Sequence, residues 1–90
     1  MAKDKRYINL KNLFSGGHIK SLQDIFDAVP KSIVARDLGM NNIRFSRLIH
    51  NVDRFVLKDL YRLAEVIEVD ETIILNLVHK QYLENKRRKQ

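Results

Sequence analysis

Pro30 and Gly39 constrain this chain more than any other residues, because the stretch between them has room for only one short helix. Proline disfavours helical geometry at Val29 and has no amide donor, so a helix arriving from the N-terminal side ends there. The same ring suits the first turn of a new helix, which starts at Pro30 or Lys31. That helix carries Val34, Ala35 and Leu38 on one face, and Gly39 is placed to end it in a left-handed conformation. Asn41 then caps a following helix through its side-chain oxygen. The product is two short helices joined by a tight turn, with the small Ala35 where the first must pass close to the second.

Apolar spacing extends this pattern in both directions. Leu22, Ile25, Phe26 and Val29 recur at i, i+3, i+4 and i+7, an amphipathic helix before Pro30. Phe45, Leu48, Ile49 and Val52 form the stripe of the helix that begins at Asn41, and residues 51–54 form a polar turn. Leu57, Leu60, Tyr61, Ala64 and Ile67 make the next helix. Asp70 caps the last one, with Glu71 in its first turn favourable to the helix dipole. Ile73, Ile74, Leu75, Leu77, Val78, Tyr82 and Leu83 cover more than one face of that last helix, which is either a buried central helix or a dimer surface. Before all of these, Ser15-Gly16-Gly17 is the one strong breaker cluster. Tyr7, Leu10 and Phe14 upstream of it have helical spacing, and a short strand over residues 6–10 is also open. The expected fold is all-α, a compact bundle of about five short helices. Residues 1–17 read as a partly ordered extension, 18–84 as the domain and 85–90 as a basic, disordered tail.

The charge is distributed unevenly. The net charge of +6 resides at the two ends: Lys3, Lys5, Arg6 and Asp4 sum to +2, and Lys86, Arg87, Arg88 and Lys89 to +4. Within the neutral body, residues 31–62 carry Lys31, Arg36, Arg44, Arg47, Arg54, Lys58 and Arg62 against Asp37, Asp53 and Asp59, a sum of +4. Residues 63–84 carry Glu65, Glu68, Asp70, Glu71 and Glu84 against Lys80, a sum of −4. A basic face on one part of a domain is what a phosphate-binding surface needs.

Other classes find little support. A single 90-residue domain has no room for a core and a deep substrate cavity, and nothing marks an activated nucleophile, so no enzyme is expected. The chain has no cysteine, and His18, His50 and His79 lack metal-ligand spacing, so neither a metal nor another cofactor is expected. The charged N-terminus has no exporting apolar run and no segment reaches the length of a membrane span, so a cytoplasmic location is expected.

Residues 31–48, KSIVARDLGMNNIRFSRL, and residues 57–70, LKDLYRLAEVIEVD, resemble the lambda-repressor-like (Xre-type) helix-turn-helix family. The resemblance covers roughly residues 19–78. It implies a first helix braced across the DNA backbone, a second in the major groove, and a sequence-specific transcriptional regulator of repressor type. Ala35 and Gly39 match the family's structural turn. Three positions depart from its pattern: Lys31 where glutamine is frequent, Ile49 where an acidic residue is usual, and Asn51 in place of glycine.

At about 100° per residue, Phe45 and Leu48 face inward, and Ile43, Ser46, Arg47 and His50 outward. By the family's pattern Asn42, Ile43 and Arg47 match base-reading positions: arginine suits guanine, asparagine adenine, and isoleucine a thymine methyl. Lys31, Arg44, Arg54 and Lys58 are the expected phosphate contacts. The expected partners are duplex DNA and a second copy of the chain held through the last helix. The alternative is a protein-interaction module, antitoxin-like, that uses the same fold with the apolar last helix as its interface. The basic tail either adds non-specific phosphate attraction or serves only as a solubilising end.

Overall fold

The computed structural model describes residues 5–88, and among them every regular element is helical. The order is α1 (Arg6–Ser15), α2 (Leu22–Ala28), α3 (Lys31–Leu38), α4 (Asn42–His50), a 3-10 turn (Val52–Arg54), α5 (Leu57–Ile67) and α6 (Glu71–Arg88). The radius of gyration, 12.6 Å, is close to the value of about 12 Å for a compact domain of this length.

Local chemistry sets the boundaries. Ser21 and Asp24 form a capping box on α2: the Ser21 hydroxyl accepts from the Asp24 amide, and the Asp24 carboxylate accepts from the Ser21 amide. Val29 is extended and Pro30 starts α3, as the proline geometry requires. Three helices end with the same pair of hydrogen bonds, a Schellman motif. In α3 the Met40 amide donates to the Ala35 carbonyl at 2.9 Å and the Gly39 amide to the Arg36 carbonyl at 3.0 Å. In α1 the His18 amide donates to Leu13 and the Gly17 amide to Phe14, and in α5 the Val69 amide donates to Ala64 and the Glu68 amide to Glu65. The motif needs a left-handed residue. Gly39, at φ 71°, takes it without steric cost, whereas at the end of α5 Glu68 takes it, at φ 66°.

Phe45 lies at the centre of the core. It is wholly buried and meets Phe26 edge to face at 5.7 Å between ring centroids and Phe55 at 6.3 Å. Val34, Ala35 and Leu38 of α3, Leu22, Ile25 and Val29 before it, and Ile74 and Leu77 of α6 complete the same cluster. α5 packs against α1, α3 and α6.

Several expectations need correction. There are six helices among the described residues, not five, because residues 6–15 form α1. Its Tyr7 and Leu10 belong to the common core, and the Tyr7 hydroxyl donates to Asp37 Oδ2 of α3 at 2.7 Å. These residues are therefore no loose extension: two apolar side chains at helical spacing give the segment a face to bury. Residues 85–88, expected as a disordered tail, continue α6 to Arg88, since no glycine or proline interrupts the helix after Asp70. The first four residues of the expected extension and residues 89–90 of the tail lie outside the described residues. Val52 is buried but belongs to the 3-10 turn, not to the helix capped by Asn41. In α5 the buried face is Leu60, Leu63, Ala64 and Ile67, while Leu57 and Tyr61 are exposed. The stripe is rotated from the expected one because α3 and α6 flank α5 and draw Leu63 inward.

Candidate functional site

α4 is held at its start, in its middle and at its end, and one side of it is exposed. At its start the Asn41 side-chain oxygen accepts from the amides of Ile43 at 2.8 Å and Arg44 at 3.2 Å, which satisfies two of the amides that a helix leaves open. In its middle Phe45 and Leu48 are buried, and Ile49 packs partly against the core. α3 lies beside it across the Gly39 turn, and Ala35 of α3 is buried. The Arg62 side chain of α5 passes close to that turn, with Nη2 4.0 Å from where a Cβ on Gly39 would stand.

The outward side of α4 presents Asn42, Ile43, Arg44, Arg47 and His50 to solvent. Ser46, expected among them, is half-buried. Ile43 is 65% exposed. Residues 38–52 contain no carboxylate, so the arginines on this face have no acidic neighbour along the helix. Arg54, at the end of the 3-10 turn, and Lys58, in the first turn of α5, are exposed as well. Among the described residues none of Arg44, Arg47, Arg54 and Lys58 has an ion-pair partner. Four cations without carboxylate partners remain available to an anion from outside.

Lys31 differs from these four. It is half-buried at the start of α3, and its ammonium stands 5.9 Å from the centre of the Phe26 ring. That distance is within cation–π range, so its side chain lies against the core edge and not in open solvent. Among the described residues no group of three or more histidines or carboxylates is gathered as metal ligands. No helix among them is long and apolar enough to cross a membrane.

Two features of the site were not anticipated. The capping box at Ser21 and Asp24, a Ser-x-x-Asp signature open to view in the sequence, fixes the start of α2. The C-terminal half of α6 docks beside the end of α4, where Asn85 Nδ2 donates to the His50 carbonyl at 3.5 Å. The uninterrupted helical stretch after Asp70 was the only sequence signal for that docking. Comparison of the chain with protein-family models, with curated proteins and with solved structures finds no match in any of the three.

Proposed function

We propose that this chain binds double-stranded DNA through a helix-turn-helix of the lambda-repressor-like (Xre) type, α3 bracing and α4 entering the major groove, as a small transcriptional regulator. One observation carries the reading: α4 is anchored by Phe45 while its opposite face is exposed, cationic and free of carboxylates. Asn42, Ile43 and Arg47 are the base-reading residues, and Lys31, Arg44, Arg54 and Lys58 contact phosphates. The protein acts as a homodimer through α6, on which Leu83 is 40% exposed, so that two recognition helices meet two half-sites one turn apart.

A second reading takes support from a different patch. Leu57 and Tyr61, four residues apart on α5, are 58% and 45% exposed beside Val56 at 55%. Such a patch suits a protein partner.

Fluorescence anisotropy with random-sequence duplex separates the two. Four phosphate contacts give a loss of affinity of about a hundredfold between roughly 50 and 200 mM salt. Arg47→Ala should remove the preference for one operator base after site selection while leaving most of the salt dependence. A chain that shows no salt-dependent binding to duplex has another partner.

A further inference from the structure

The fold brings the basic end of α6 to the same side of the molecule as the end of α4. Along α6, Lys80 Nζ donates to the Lys20 carbonyl, just before α2, at 3.1 Å, and Asn85 reaches the His50 carbonyl at the end of α4. Asn85 borders two hollows. The larger, of about 320 Å³, has Lys31 of α3, His50 of α4, and Glu84 and Arg88 of α6 on its walls. The smaller, of about 190 Å³, has His50, Asp53 and Lys86 on its walls. Arg88 and Lys86 thus stand on either side of Asn85, each close to the C-terminal end of α4. Neither has an ion-pair partner among the described residues.

We infer that the last turn of α6 is a second backbone clamp: Lys31 and Arg88 in the larger hollow, and Lys86 in the smaller, hold phosphates of the duplex strand that runs past the end of α4. This rests on the reading of α4 as the groove-entering helix. Lys31 and Arg88 border one hollow although they are 57 positions apart in the chain, and with Glu84 as the one carboxylate on its walls the hollow keeps a net positive charge that favours an anion. A polyanion supplies several phosphates at fixed spacing, which suits basic side chains on two hollows that share His50 and Asn85; Lys31 and Arg88 outnumber Glu84 on the larger, and Lys86 faces Asp53 on the smaller. Such contacts set affinity and register and carry no base preference. Glu84 and Asp53 are the two carboxylates on these walls, and each opposes the clamp.

The test uses the full chain, random-sequence duplex and a salt series from about 50 to 200 mM. The double variant Arg88→Gln, Lys86→Gln should lower the slope of log affinity against log salt by about 1.8, which narrows the affinity change across that range by roughly tenfold. Glu84→Gln should tighten binding over the same range. The selected operator should stay that of the unaltered chain, because no base contact is lost. Far-ultraviolet circular dichroism of the variants should match the unaltered chain, since both side chains are exposed at a helix end. An unchanged slope in the double variant, with binding still weakened by Arg47→Ala, overturns the clamp and leaves the reading of α4 intact. Absence of salt-dependent duplex binding by the unaltered chain overturns both.

Discussion

α4 and α6 each bury two side chains, but α4 does so in 9 residues and α6 in 18. The difference lies in where the anchors fall. Phe45 and Leu48 stand in the middle of α4, so neither end is more than a turn or so from the core. Ile74 and Leu77 stand in the first half of α6, and among the described residues beyond Val78 only Gln81 and Asn85 are even half-buried. That outer half is tied down by hydrogen bonds from Lys80 and Asn85 to backbone carbonyls. Each such bond contributes roughly 1 kcal/mol net at most when water competes for the groups. A helix anchored at its centre presents its outer face at a fixed angle. A helix anchored at one end has a terminus free to adjust to whatever it meets, with low local stability.

The largest effect is expected at the anchor of α4. Phe45→Ala removes a wholly buried ring that touches two others and should cost about 3–5 kcal/mol in urea denaturation. That is a large share of the roughly 5–15 kcal/mol available to a small domain. A cost near 1 kcal/mol would mean that α4 is not locked by the core, and the contrast with α6 would vanish. An intermediate effect is expected at the start of α4. Asn41→Ala leaves the Ile43 and Arg44 amides without their shared acceptor and should cost about 1 kcal/mol in thermal melts. On the outer half of α6, Leu83→Ala should change stability by no more than about 0.5 kcal/mol. A larger loss that grows with protein concentration would show that a second copy covers Leu83.

Much of this arrangement was legible in the chain. Pro30, Gly39, Asn41 and Asp70 act locally, through ring geometry, a left-handed φ and side-chain acceptors, and each occupies the place expected of it. The buried faces of α2 and α3 followed from spacing for a similar reason, since one narrow stripe admits one orientation. α5 did not yield to the same reading. Its apolar residues Leu57, Leu60, Tyr61, Leu63, Ala64, Val66 and Ile67 span a wide arc. Only the neighbours α1, α3 and α6 decide that Leu63 goes in and Leu57 and Tyr61 stay out. Long-range contacts hid the rest. The Tyr7–Asp37 hydrogen bond spans 30 positions and the Asn85–His50 contact 35, and no periodicity reports on such pairs. At the candidate site, the exposure of Ile43, Arg47 and His50 on α4 followed from helical phase, and the half-burial of Ser46 did not. The placement of Lys31 against Phe26 did not, because it depends on how α2 meets α3.

The smallest effect is expected at the cap of α6, and it differs in kind from that at α4. Asn41 caps α4 with a neutral amide, so its contribution should not vary with pH. Asp70 caps α6 with a carboxylate that accepts from the Thr72 hydroxyl at 2.5 Å and the Thr72 amide at 2.8 Å. The hydroxyl first, then the amide, hold this carboxyl below its usual 3.8. A group whose folded-state pKa is depressed stabilises the fold above its unfolded pKa and loses that contribution as pH falls through the folded value. The window therefore opens near 3.8 and extends downward. Asp70→Asn keeps an acceptor at the cap but has no proton to gain. The gap in Tm between the unaltered chain and Asp70→Asn should stay flat from pH 7 to about pH 5 and shift against the unaltered chain below that. The gap between the unaltered chain and Asn41→Ala should show no such drift. A flat gap for Asp70→Asn down to about pH 2.5 would mean that the Thr72 contacts do not hold the start of α6 in solution. α6 would then depend on the packing of Ile74 and Leu77 and on the hydrogen bonds of Lys80 and Asn85, with no contribution from its cap.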